Sequence, residues 1–153
     1  ARFGVPLHFA ETTILSGKPG WEVARRDGDW PSTPEGEAEQ AREVERFYTM
    51  LYSHPAVEAI TWWDFTDQMA WQSAPAGFLR KDMTPKPIYH ELKKLIKGKW
   101  WTQTNKKVSS GGTVELRGFL GDYEVVVKDG DRELKGTFRL DKDEAGPIEV
   151  LLE

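Results

Sequence analysis

The chain has 153 residues, 39% of them hydrophobic, which is enough for one ordinary core or two small ones. Its 21 basic and 25 acidic residues leave a net charge of −4 that barely differs between the two ends, so neither a nucleic acid nor a charged membrane surface is an expected partner. With no cysteine and no apolar run of bilayer length, a disulfide framework, a thiolate metal site and a spanning helix are all excluded.

Residues 4–10 open the chain as an apolar run introduced by Gly4 and Pro6, and this predicts a buried strand. The segment starts without an initiator methionine or a signal peptide, which predicts a parent polypeptide that extends further upstream. Gly17, Pro19, Gly20, Gly28, Pro31 and Pro34 make residues 16–34 a long loop, and loops of that length are usually functional or disordered. A helix follows, with Ser32 or Thr33 as N-cap, Pro34 in the first turn and Glu35, Glu37 and Glu39 near its positive end. Its apolar stripe is Ala41, Val44, Tyr48, Leu51 and Tyr52, while Glu39 with Arg42 and Glu43 with Arg46 pair on the wet side, and Pro55 ends it.

"VEAITWWDF", residues 57–65, predicts a second buried strand. Strand, helix, strand in that order implies a parallel pair with a right-handed crossover, covered on both faces. Thr84 and Pro85 then start another helix, with Ile88, Leu92, Leu95 and Ile96 on one side and Lys93, Lys94 and Lys97 toward its negative end, before Gly98 stops it. Two parallel strands cannot cover their own faces. This module is therefore completed by oligomerisation or belongs to a larger α/β domain.

From residue 99 the pattern changes to period two. "WWTQT", "TVELRGFL", "YEVVVK", "ELKGTFRL" and "IEVLLE" are divided by Gly-Gly, Gly-Asp, Asp-Gly-Asp and Gly-Pro, which predicts a small antiparallel β-sandwich over residues 99–153. The chain thus reads as an α/β module over 1–98 followed by a β module.

Glu11 stands out as a lone carboxylate in the apolar stretch "VPLHFAETTIL". By spacing alone it is a solvated rim residue or a salt-bridge partner as readily as a catalytic acid. Seven tryptophans are many for this length, and Trp62 with Trp63, Trp71, Trp100 with Trp101, and Trp30 can either pack a core or stack on a ligand. The three histidines are scattered, with no spacing suited to a metal.

Three stretches together resemble glycoside hydrolase family 10, the xylanase family. "PLHFAETTILSG" is similar to the seventh strand of that family's (β/α)8 TIM barrel, "ITWWDFTDQMAW" to its eighth, and "GFLRKDMTPKPIYHEL" to the segment that opens its last helix. They fall in the family's order and span about residues 3–97. The later strands, with "RGFLGDYEVVV", resemble a β module appended to some bacterial relatives. The resemblance implies the last two β/α units of a barrel plus a β module, from a retaining endo-1,4-β-xylanase acting on xylan or a related plant polysaccharide outside the cell, without a cofactor.

It implies that Glu11 is the nucleophile at the barrel mouth. Trp63 and Trp71 match the two tryptophans that lie against the sugar at the cleavage point, while strand alternation turns Trp62 the other way, into the core. Asp67 matches the motif aspartate, in sugar contact or in holding the loop. His8, set back on the strand of Glu11, packs behind the site or donates a hydrogen bond there.

The chain departs from the pattern at Ala10 (Thr in the family), Thr13 (Asp), Asp64 (Gly) and Ala70 (Ser), positions that tune or orient the reacting groups. The acid/base Glu with its preceding Asn, and the sugar-binding residues of the first strands, have no counterpart. The expected partner is therefore the N-terminal part of the same barrel, and the chain alone is expected to be inactive. An alternative function is carbohydrate binding by the β module through Trp100, Trp101, Phe119 and Tyr123, or a non-catalytic scaffold.

Overall fold

The computed structural model describes residues 4–17, 30–142 and 146–153. The chain divides into two compact units, Ala1–Lys99 and Trp100–Glu153. Much of the loop expected over residues 16–34 lies outside the described residues.

The first unit contains strand β1 (Leu7–Thr12), helix α1 (Pro34–Tyr52), strand β2 (Val57–Trp62), a single 3₁₀ turn (Trp71–Ser73) and helix α2 (Pro87–Lys94), which a π-helical turn extends over Leu95–Lys99. β1 and β2 pair in parallel around the α1 crossover. The first strand lies later than its apolar run suggests. Gly4 takes φ +62°, in the left-handed region where a strand cannot run. At the other end Glu11 and Thr12 are held in the strand, because the Trp63 N–H donates to the Thr12 carbonyl at 3.0 Å.

Helix α1 begins where its capping signals place it. The Thr33 hydroxyl accepts from the Gly36 N–H at 3.1 Å, Pro34 occupies the first turn, and Glu35 and Glu37 sit at the positive end of the dipole. Val44, Tyr48 and Leu51 are buried as the stripe requires, and burying Val44 and Leu51 stabilises the fold by roughly 1.5–3 kcal/mol each. Tyr52 is exposed, and two polar residues, Glu37 and Gln40, are buried in its stead. Arg42 pairs with Glu39, and Arg46 with Glu43, on the solvent face.

An aromatic chain joins α1 to one face of the sheet. Phe9 meets Phe47 edge-on at 6.1 Å, Tyr48 lies 6.3 Å from Trp62, and Trp62 lies 5.2 Å from Phe78. Trp62 also donates its indole N–H to the Ala76 carbonyl at 2.9 Å, which satisfies its one polar atom inside the core. Helix α2 buries Ile88 and Leu92 and its π turn buries Leu95, while the wider turn leaves Ile96 exposed.

The expectation that both faces of the parallel pair are covered is not met. His8, Ala10 and Glu11 of β1, with Glu58 and Thr61 of β2 and Trp63 just beyond it, are exposed on the side away from α1.

In the second unit the regular structure among the described residues is one antiparallel hairpin, β3 (Gly121–Asp129) with β4 (Arg132–Leu140), in register from Gly121 opposite Leu140 to Asp129 opposite Arg132. Gly130, at φ +60°, supplies the first position of the two-residue turn, as the Asp-Gly-Asp signal predicts. Tyr123 stacks on Phe138 across the strands at 4.8 Å and donates its hydroxyl to the Phe119 carbonyl at 2.5 Å. Residues 148–153 return along β4, where Lys135 and Glu153 exchange backbone hydrogen bonds of 2.8 and 2.9 Å. Gly136 admits that approach, since a side chain there would meet the Leu151 carbonyl. The two-layer sandwich is not formed among the described residues. The segments 100–104 and 113–120 carry no ladder, and the polar stretch "TNKKVSSGG" between them has no alternating apolar face to pair.

Candidate functional site

Of the residues singled out by the sequence, Glu11 lies near the C-terminal end of β1 and Trp63, Asp67 and Trp71 follow the C-terminal end of β2, whereas His8 sits near the N-terminal end of β1, opposite Ala59. The sheet register shows how Glu11 comes to face the open side. Phe9 pairs with Ile60 and Thr12 with Trp62, so three steps on β1 match two on β2. That is a β-bulge at Ala10 and Glu11, the device by which strands re-aim side chains beside functional sites. Without it Phe9 and Thr12 would face opposite ways. With it, Phe9 reaches Phe47 of α1 and Thr12 is buried, its hydroxyl donating to the Thr61 carbonyl at 2.8 Å. Glu11 and His8 are left together on the open face. A second irregularity, with Leu7 opposite Val57 and His8 opposite Ala59, makes Glu58 the extra residue of β2. The Glu58 carboxylate lies 3.5 Å from His8 Nε2.

Trp63 follows β2 directly and is 48% exposed, with its N–H on the carbonyl of Thr12, the neighbour of Glu11. Trp71 is 55% exposed on the loop beyond. Asp67 is in a different environment. It is 5% exposed, accepts the Gly77 N–H at 2.9 Å, and pairs with Lys86 Nζ at 2.7 Å. Its carboxylate is occupied in holding the loop after β2.

Lys86 had no role in the sequence reading, yet it is fully buried at the cap of α2. Besides Asp67 it donates to Ser16 Oγ at 2.9 Å, and Ser16 in turn reaches Ser32 Oγ and the Pro75 carbonyl, both at 2.7 Å. Ser32 donates to Glu37 at 3.0 Å, and Glu37 receives a two-pronged contact from Arg80 at 2.8 and 2.5 Å. Gln40 spans the same region, donating to the carbonyls of Ile14 at 2.7 Å and Ala76 at 3.3 Å. These side chains tie the loop after β1 to the loop after β2 and to the starts of both helices. Burial pushes the Lys86 ammonium below its ordinary value, with Asp67 pulling the other way. The sequence signal for this network was the odd polar residue on an apolar helical stripe, Gln40, four places before Val44.

Among the described residues no group of His, Cys, Asp or Glu side chains could hold a metal ion, and no helix is long and apolar enough to cross a membrane.

This arrangement of strands and helices is that of part of a xylanase-like α/β fold. The structure resembles xylanase 10B of Thermotoga petrophila, solved with xylobiose, and native xylanase 10B of Thermotoga maritima, each with a TM-score of 0.50 and 22% identity. The likeness covers 64% of this chain and 28% and 29% of those chains, so the match takes in under a third of their length. In sequence the chain is 26% identical over 99 residues to the anti-sigma-I factor RsgI6 of Acetivibrio thermocellus, covering 65% of this chain and 13% of that protein. No family model matches.

Proposed function

We propose that the chain is the C-terminal part of a retaining, endo-acting β-1,4-xylanase-like hydrolase, comprising the last two β/α units of a (β/α)8 barrel and a β module. The observation that carries this reading is the bulge that places Glu11 on the open face at the end of a parallel strand, beside Trp63, on a fold like that of xylanases. Glu11 attacks the anomeric carbon as the bond to the leaving oxygen breaks. A second carboxyl, about 5 to 5.5 Å away, gives that oxygen its proton and then activates the water that releases the sugar. Trp63 and Trp71 offer flat apolar faces to the sugar rings and exclude water from the charged groups. Asp67 acts by holding the loop that bears Trp71, and His8 by lining the floor behind Glu11.

The second carboxyl belongs to the N-terminal part of the barrel, which also covers the bare face of the sheet. The chain alone therefore lacks a general acid, a loss on the order of 10²- to 10⁴-fold in rate, and most of the sugar-binding surface. A polymeric plant substrate places the activity outside the cell.

Labelling of the parent protein with an activated 2-deoxy-2-fluoro-xylobioside tests the assignment. The sugar should attach to the peptide containing Glu11. Label on another residue, or turnover surviving Glu11→Gln, would overturn the assignment.

A second reading is favoured by the likeness to an anti-sigma factor. In it the barrel recognises polysaccharide without cleaving it, and the departures at Ala10, Thr13, Asp64 and Ala70 fit a site released from catalysis. Saturable xylan binding by the parent protein with no label and no reducing sugar would decide for it.

A further inference from the structure

We propose that Asp64 is a positioning residue that sets Trp71 relative to Trp63, so that the two indoles meet a polysaccharide as one platform. This rests on the reading of Trp63 and Trp71 as sugar-stacking residues. The loop after β2 is anchored firmly at its base. The Phe65 carbonyl accepts the N–H groups of Phe78 and Leu79 at 3.0 and 3.2 Å, Asp67 N–H donates to Leu79 at 2.9 Å, and the Asp67 carboxylate is tied to Gly77 and Lys86.

The tip is built differently. Met69, Gln72 and Ser73 adopt φ of 62°, 55° and 55°, a region that costs non-glycine residues energy and holds only where neighbouring contacts enforce it. Met69 is 97% exposed, so packing of its side chain does not enforce it. Short turns from Ser73 N–H to the Ala70 carbonyl at 2.9 Å and from Ala74 N–H to the Trp71 carbonyl at 3.1 Å close the tip on itself. The bond that crosses from the strand end to the tip runs from the Trp71 N–H to Asp64 Oδ1, at 3.2 Å.

That bond fixes the peptide plane from which the Trp71 side chain departs, and its acceptor is the chain neighbour of Trp63. The spacing and tilt between the two indoles therefore depend in part on that carboxylate. Glycine, which the resembled strand motif carries at this position, has no side chain to make the contact. An amide oxygen can make it, so the contact needs an acceptor and not a charge.

The test uses the parent protein, ¹⁵N-labelled and carrying Glu11→Gln so that the sugar is not cleaved, with xylohexaose titrated into the millimolar range and the indole N–H signals of Trp63 and Trp71 followed by NMR. With Asp64 in place both indoles should shift together. Asp64→Ala should weaken binding by about threefold to tenfold, the range expected for one net hydrogen bond, and speed hydrogen exchange of the Trp71 amide while leaving the unfolding midpoint unchanged. Asp64→Asn should restore both affinity and amide protection. Unchanged affinity and unchanged Trp71 exchange in Asp64→Ala, or failure of Asp64→Asn to rescue, overturns the proposal. If neither indole responds to the sugar while Asp64→Ala still exposes the Trp71 amide, the stacking reading itself fails, and the positioning role fails with it.

Discussion

The two faces of the β1–β2 sheet are built on opposite principles. The face against α1 is filled by Phe9, Thr12 and Trp62, with Tyr48 beneath them; the Thr12 hydroxyl finds its partner in the Thr61 carbonyl of β2 and the Trp62 indole in the Ala76 carbonyl of the loop beyond. The other face presents His8, Glu11, Glu58 and Trp63 to solvent. Parallel strands are normally covered on both sides, and a two-stranded sheet is marginal by itself. Stability in this unit is therefore concentrated on one face and in the loop network, while the candidate chemistry lies on the other. Substitutions on the two sides should separate into large effects on folding and large effects on function.

The largest stability effect should come from Lys86. Lys86→Met leaves Asp67 as a buried charge without its partner, which typically costs about 3–5 kcal/mol, read as a lower midpoint in urea unfolding. Adding Asp67→Leu should recover most of that loss, because an apolar pair of similar size replaces a buried ion pair at little cost. A single variant as stable as the original chain would show that water already reaches the pair and that the loops are not held from within.

Gly36→Ala sets two principles against each other. By helix propensity, alanine within α1 should stabilise by roughly 0.5–1 kcal/mol. In the structure an added methyl would collide with the backbone carbonyl of Ser16, which also accepts the Thr33 N–H at 2.9 Å. Packing should win, with a net loss of about 1–3 kcal/mol in the same unfolding assay. A gain would mean that α1 is free to move away from the loop after β1.

Much of the covered face was legible in the sequence. The capping signals at Thr33 and Pro34, the stripe through Val44, Tyr48 and Leu51, and the exposed pairs Glu39–Arg42 and Glu43–Arg46 all rest on neighbours within a turn or two of helix. Lys86 was not legible, because its partners Ser16 and Asp67 lie 70 and 19 residues away. A lysine before a proline reads as solvated unless those partners are known. The bulge was hidden for a related reason. A strict alternation along "LHFAET" puts His8 and Glu11 on opposite faces, and only the pairing with Ile60 and Trp62 reveals the extra residue. In the second unit the Gly130 turn was legible, whereas the strand pattern overstated the sheet, since alternation marks which residues can pair but not which partner they have.

A smaller effect belongs to Tyr48. Burial raises its hydroxyl above the ordinary tyrosine value of 10.0, with Thr12 opposing. The folded chain thus holds that proton more tightly than the unfolded chain. The contribution is complete below pH 10.0 and is lost as the pH climbs through the interval above it. Alkaline unfolding followed by circular dichroism should show this decline, and Tyr48→Phe should flatten it while keeping the ring between Phe47 and Trp62. An identical alkaline limb in the phenylalanine variant would place the titrating group elsewhere.

The smallest stability effect should be at Glu11, and that is what makes it informative. Glu11 is exposed in β1, and exposed substitutions away from caps and buried networks usually stay within about 0.5 kcal/mol. Glu11→Gln should leave the unfolding midpoint of the chain where it is, while in the parent protein, on the proposed reading of Glu11 as nucleophile, it should abolish turnover. A loss of more than about 1 kcal/mol would make Glu11 part of the fold's support and erase the contrast between the faces. Neutral stability together with lost turnover would assign the open face to chemistry. The bulge at Ala10 and Glu11 would then serve both faces, since it turns Phe9 and Thr12 together toward the covered side and leaves Glu11 on the open one.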